Sequence, residues 1–208
     1  MAVSRHSIIA SEGWFYISLI LLVSVIAQIF IHYWAIILWL LLIITVLFFR
    51  DPYRKSPADP LGIVSPVNAT ITEVSVKQDQ FLEREANFIR MIMPFYTIFT
   101  VRSITEGKVM QQWHQMHENG DKTCPCFAVW IQTDEQDDVI LVLRPGRWIK
   151  QIKSYFITGE RVGQGLRMGY ILFGSCIDVY VPKSSTIEVV QGKKVSGGTD
   201  ILAHLVHN

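Results

Sequence analysis

The sequence predicts an N-terminal transmembrane helical hairpin followed by an all-β domain of barrel or sandwich type. Two observations carry this expectation. From Trp14 to Phe49 there is no Asp, Glu, Lys or Arg in 36 residues, a length and apolarity that mark membrane-spanning helix. Beyond Phe49 the chain becomes a series of short apolar runs of strand length, separated by turn residues.

As one helix the 36-residue run would be about 54 Å long, against a hydrocarbon core of about 30 Å. Two shorter helices fit better, about 14–31 and 35–49, with a tight turn through His32-Tyr33-Trp34 whose polar-aromatic character suits the headgroup level. Gln28 and His32 are the strongly polar side chains within the run. Residues 1–49 are therefore read as a membrane anchor. The run lacks the short apolar core and small-residue cleavage site of a signal peptide. Arg5 precedes it, and Arg50, Arg54 and Lys55 follow it. Basic flanks on both sides place both ends of a hairpin, and the β domain, on the cytoplasmic face of the inner membrane.

Residues 50–60, RDPYRKSPADP, carry three prolines among charges and read as a juxtamembrane linker. Residues 61–208 form the β domain. Strands are expected at Ala69–Val76, Phe88–Met93, Tyr96–Val101, Phe127–Gln132, Val139–Leu143, Ile149–Ile157, Met168–Leu172, Cys176–Val181 and Thr186–Val190. GERVGQG (Gly159–Gly165) and GKKVSGG (Gly192–Gly198) share the pattern G-x-x-V-x-x-G, 33 residues apart. Each reads as a turn glycine, an inward valine and a second turn glycine.

A net charge of +1 without a basic stripe excludes the nucleic-acid-binding class. Three cysteines, an odd and low count beside a cytoplasmic orientation, exclude a disulfide framework. His114, His117, Cys124 and Cys126 form H-x2-H-x6-C-x-C, four candidate zinc ligands within thirteen residues. The plainer reading is a hairpin loop with exposed histidines and half-buried thiols.

The segment ILFGSCIDVYVP, Ile171–Pro182, is a strand interrupted by Gly174-Ser175. A glycine inside a strand marks a bulge or a close approach. With FFRDPYRKSPADP after the anchor, IVSPVNATITEV, RMGYILFGSCIDVYVP, SIIASEGW before the anchor and VVQGKKVSGGTDILAHL at the end, the chain resembles the short, membrane-anchored phosphatidylserine decarboxylases of bacteria and archaea. The resemblance covers most of the chain, in the expected order.

It implies a proenzyme that cuts itself between Gly174 and Ser175. The pieces would be subunits 1–174 and 175–208, with Ser175 converted to a pyruvoyl cofactor at the new terminus. The pyruvoyl carbonyl would take phosphatidylserine as a Schiff base and release carbon dioxide, leaving phosphatidylethanolamine. Nucleophilic attack by the serine on the preceding carbonyl needs a base, and decarboxylation needs an electron sink that side chains supply poorly. A phospholipid membrane is the implied partner.

The sequence departs from the family at several of these positions. SPVNA places Asn68 where an Asp is expected and Ala69 where a Gly is expected. Aligned on Arg102, Phe99 stands at the histidine position and Thr97 at a frequent Asp. The loop after Val109 is shorter, and Cys176 replaces the usual arginine after the serine. Arg102 itself is a candidate for contacting the lipid phosphate or carboxylate, and equally a solvated strand-end charge. Two classes stay open: a pyruvoyl-dependent decarboxylase with a rearranged base, and a catalytically degenerate homologue that binds phospholipid or a partner.

Overall fold

The computed structural model describes residues 13–49, 54–57, 59–94, 97–114, 116–118, 122–124, 126–146, 152–171 and 175–206. The chain divides into two compact units, Met1–Tyr53 and Arg54–Asn208.

The first unit is a hairpin of two apolar helices, α1 (Gly13–Ile31) and α2 (Ile36–Phe48), joined by a 3-10 turn over His32–Ala35. The turn falls where the sequence puts it, and His32 takes a left-handed φ of 50° to reverse the chain. Small side chains are the buried ones: Ser24 and Ala27 on α1 and Ala35 in the turn, while Phe15, Leu22, Ile29, Ile36 and Leu40 face outward. Small residues let helix backbones approach closely where no water drives association. Several polar side chains bond within the hairpin. Ser24 and Thr45 donate their hydroxyls to the carbonyls of Ile20 and Leu41 one turn back, and the Trp39 indole donates to Gln28 Oε1 across the hairpin at 3.3 Å. Among the described residues, α1 alone has the length and hydropathy for a membrane span; α2 is a shorter apolar helix.

The second unit is mainly β. Its strands are β1 (Gly62–Val64), β2 (Ala69–Asp79), β3 (Arg84–Ile92), β4 (Thr100–Arg102), β5 (Gly107–Trp113), β6 (Met116–Glu118), β7 (Lys122–Cys124), β8 (Phe127–Gln132), β9 (Asp138–Arg144), β10 (Ile152–Ser154), β11 (Arg161–Val162), β12 (Arg167–Ile171), β13 (Cys176–Pro182), β14 (Thr186–Ile187), β15 (Lys194–Val195) and β16 (Ile201–His204). Eight of them form a curled sheet in the order β11-β5-β8-β9-β13-β3-β2-β15. Two three-stranded sheets, β1-β16-β14 and β10-β12-β4, and the β6-β7 hairpin complete the described strands.

The centre of the large sheet is buried on both faces. One face carries Ile89, Met91, Leu141, Leu143, Ile177 and Val179. The other carries Phe88, Cys126, Ala128, Ile140, Val142 and Tyr180, covered by Phe81, Leu82 and Trp113. Strands such as VILVL in β9 therefore read as unbroken apolar runs instead of alternating ones.

The glycine repeat is a structural repeat. Gly159, Gly165, Gly192 and Gly198 all have positive φ, a conformation glycine adopts without steric cost. Between each pair lies a two-residue strand, β11 or β15, whose valine is buried. These strands are the two edges of the large sheet. The pairing is equivalent on both sides: Val109 N–H donates to the Glu160 carbonyl and Ile71 N–H to the Lys193 carbonyl. Likewise Gly165 N–H donates to the Ser103 carbonyl and Gly198 N–H to the Ser65 carbonyl. Residues 65–71 and 103–109 thus occupy matching places in two halves.

Candidate functional site

The site is built where β2, β3 and β13 end together. Ile92 of β3 pairs with Thr70 of β2 on one side and Cys176 of β13 on the other. Asn68 and Ser175 therefore leave the sheet at the same end, flanking β3. Met93 N–H donates to the Ser175 carbonyl at 2.9 Å, which extends the β3–β13 ladder by one step. Ser175 is 0% exposed and in phase with the buried Ile177 and Val179, so strand alternation puts it on their face of the sheet. Gly174 lies outside the described residues.

Asn68 is half-buried and held on three sides. Its Oδ1 accepts from Arg54 Nη1 at 2.6 Å and from Gly197 N–H at 2.9 Å. Its Nδ2 donates to Thr97 Oγ1 at 3.0 Å. Arg54 also donates to the Gly197 carbonyl. The structure thus brings two of the departed positions, Asn68 and Thr97, into direct contact. Phe99, two residues on, is 2% exposed. Its ring packs edge-on against Tyr170 at 6.0 Å, and its carbonyl accepts from Ile171 N–H. It therefore lies beside β12, the strand leading toward Ser175. Neither an amide, a threonine hydroxyl nor a phenyl ring accepts a proton as a base near neutral pH.

Arg102 is buried, not a solvated strand-end charge. Its Nη1 donates to the Gly165 carbonyl at 3.1 Å, and its Cδ lies where a Cβ on Gly198 would come within 2.6 Å. The guanidinium thus bridges the two equivalent glycine turns.

Of the four candidate zinc ligands, His114 and Cys126 have described side chains. His114 is exposed, its ring centred 5.1 Å from that of Phe127. Cys126 is buried in the outer core cluster. His117 and Cys124 lie on β6 and β7, opposite Thr123 and Met116; their side chains are outside the described set. Among the described residues no three His, Cys, Asp or Glu gather as a metal site.

One charge cluster, on the opposite face of β13 from Ser175, is absent from the sequence expectations. Asp178, three residues after Ser175, has a fully buried side chain. Arg90 from β3 and Arg144 from β9 donate to its two oxygens at 2.7 and 2.9 Å, and Arg90 adds a second bond at 3.0 Å. The Asp178 carboxylate holds the Arg90 guanidinium above its ordinary value. Burial, and secondarily the Asp178 carboxylate, push the neighbouring Cys176 thiol up to about 11. Cys176 is therefore a neutral thiol at physiological pH and a poor second nucleophile. The signal for this clamp was available: an Asp inside an apolar strand requires counter-charges from its neighbours.

The structure is thus an apolar helical hairpin and a β domain that buries Ser175, and comparison with known sequences gives the family. Residues 86–203 match the family model described as phosphatidylserine decarboxylase. The chain is 34% identical over 206 residues to the phosphatidylserine decarboxylase proenzyme of Nitrosomonas eutropha, covering 95% of each chain. It is 32% identical over 208 residues to that of Aromatoleum aromaticum, covering 96% of this chain and 97% of the relative. It is 34% identical over 210 residues to that of Burkholderia cenocepacia, with the same coverage of 96% and 97%. No solved structure matches the chain. The chain belongs to the phosphatidylserine decarboxylase family.

Proposed function

We propose that this chain is a membrane-anchored member of the family that stays uncut and serves by binding phospholipid at the cytoplasmic face of the inner membrane, without decarboxylating it. The observation that supports this reading is the network around Asn68. Arg54, Gly197 and Thr97 satisfy an amide where proton transfer would require a carboxylate, and Phe99 fills its place against Tyr170 with hydrocarbon. These residues do not fit the making of a pyruvoyl group from Ser175, because neither position takes up the serine proton. The fold, the buried serine and the apolar helices persist without that chemistry. Fold ancestry is thus a firmer inference than present activity.

A second reading, cleavage at Gly174-Ser175 followed by decarboxylation of phosphatidylserine, is favoured by Ser175 itself and by identity to named proenzymes along nearly the whole chain. The mass of the chain purified from membranes separates the two. The intact 208-residue mass is the expected result. Fragments 1–174 and 175–208 that vanish in Ser175→Ala would establish self-processing. Turnover of phosphatidylserine vesicles by the cut chain would then restore the family activity.

A further inference from the structure

The two halves of the β domain present one turn in two versions. In one, Gly159 N–H donates to the Val109 carbonyl and Glu160 N–H to that of Ile157; in the other, Gly192 N–H donates to the Ile71 carbonyl and Lys193 N–H to that of Val190. The residues correspond at a spacing of 33, ITGER (157–161) against VQGKK (190–194). Each turn lifts one β-branched apolar side chain into solvent: Ile157 is 69% exposed and Val190 is 70% exposed. A single exposed apolar residue is ordinary on a protein surface. What separates the two turns is charge.

The first turn is neutralised by its own neighbours. Glu160 accepts from Ile157 N–H at 3.0 Å, and Arg161 is paired with Asp134. The second carries Lys193 and Lys194, both exposed, and neither is ion-paired among the described residues. Carboxylates on adjoining segments are engaged elsewhere: Glu188 faces His204, Asp200 accepts from Ser196 N–H and Glu73 pairs with Lys77. The basic turn also adjoins the place where the chain enters the domain. Arg54 donates to the Gly197 carbonyl and Ser56 to that of Gly198, so the exposed Lys55 between them lies beside the loop that follows β15. Residues 54–56 are the first described ones after Phe49. On β15 itself, Lys194 pairs with Thr70, whose other neighbour is the exposed Ile92 of β3. Directly opposed residues share a face of the sheet, so the lysine edge runs on into a second exposed apolar side chain.

We infer that the turn 190–194, with Lys55, is the surface by which the β domain lies against an anionic lipid bilayer. Val190 enters the headgroup layer and the three lysines meet lipid phosphates. The apolar tip gains by leaving water, and each lysine gains by approaching a negative leaflet. The twin turn has the same tip without the unpaired charge, so a bilayer tells the two apart. The inference rests on membrane anchoring by the helices and does not depend on the state of the Gly174-Ser175 bond.

The test uses the full chain in vesicles of phosphatidylcholine, with or without phosphatidylglycerol. It carries the fluorophore NBD on Val190→Cys or on Ile157→Cys, and the wild-type chain treated alike gives the background from the native thiols. Brominated lipids quench a fluorophore that enters the bilayer. Quenching at 190 in the anionic vesicles, and none at 157, is the expected result. Adding Lys193→Gln and Lys194→Gln is expected to lower the ratio of docked to free turn about thirtyfold, the product of two lysines at an anionic surface. Absent quenching at 190, equal quenching at both positions, or quenching that the lysine substitutions leave unchanged overturns the inference. So does emission at 190 that is shielded from water without lipid quenching, which would mean that a second copy of the chain covers the turn. The mass of the same preparation reports cleavage separately. A cut chain that docks this way would refute the uncut reading and leave the inference standing; an intact chain that fails to dock would do the reverse.

Discussion

Two residues, one beside the serine in sequence and one across β3 from it, decide what its surroundings can do. Cys176 stands one position beyond Ser175, and its thiol is pushed up to about 11 by burial and by Asp178. Alkylation by iodoacetamide, followed by mass spectrometry of the tryptic peptide, is expected to be slow at neutral pH and to accelerate only as pH approaches that value. Rapid labelling at neutral pH would contradict the half-buried, protonated thiol. Asn68 poses the converse question. A carboxylate there would accept from Arg54 and Gly197 N–H as the amide oxygen does now, and such donors hold a carboxylate in its ionised form. Asn68→Asp alone is therefore expected to leave the chain intact. Asn68→Asp with Phe99→His supplies both an acceptor and an imidazole, and the fragment 175–208 is expected to appear in its mass spectrum. These departures were legible from sequence because they sit inside recognisable motifs. Their consequences were not, because the contacts with Arg54 and Gly197 join residues far apart in the chain.

At the scale of elements, β13 holds the candidate site in register. It lies between β3 and β9, and the Asp178 clamp bonds it to both. Removing one partner of a buried ion pair leaves an uncompensated charge and costs about 3–5 kcal/mol. Asp178→Ala is expected to lose stability on that scale in denaturant titrations followed by tryptophan fluorescence. Asp134 is a control: its pair with Arg161 is largely exposed, and Asp134→Ala is expected to cost about 1 kcal/mol or less. The same strands show why part of the fold could be read in advance. Phe127–Gln132 and the cores of β9 and β13 are mostly apolar runs bounded by turns, and β2 and β3 interleave apolar with polar residues at strand length. Gly107–Trp113 was missed although it is seven residues long. A register shift between Val109 and Gln111 breaks its alternation, so KVMQQW shows neither a strand period nor a continuous apolar run. The short strands β1 and β16 were missed because three or four residues carry no period at all.

At the scale of the whole molecule, the question is how two apolar helices of unequal length meet a bilayer. α1 has 19 residues, about 28 Å of helix, which matches a hydrocarbon core of about 30 Å. α2 has 13 residues, about 20 Å, and falls short by roughly a third. Length alone would thus let α1 cross and leave α2 partly inserted. That arrangement would put Arg5 and the β domain on opposite faces, against the basic residues that flank both ends of the hairpin. The internal contacts also favour treating the helices as one inserting unit. Trp39 bonds Gln28 across the pair, and Tyr16 stacks on Phe49 at 5.8 Å, joining the start of α1 to the residue after α2. A bilayer thins locally around a short span at a modest cost, fractions of a kcal/mol per Å of mismatch. Satisfying the exposed apolar faces of both helices outweighs this. Protease digestion of sealed vesicles gives the check. In inside-out inner-membrane vesicles, both the β domain and an epitope fused ahead of Arg5 are expected to be digested; in right-side-out vesicles, both are protected. Protection of only one of the two in either preparation would mean that α1 crosses alone and that the hairpin does not span the bilayer as a pair.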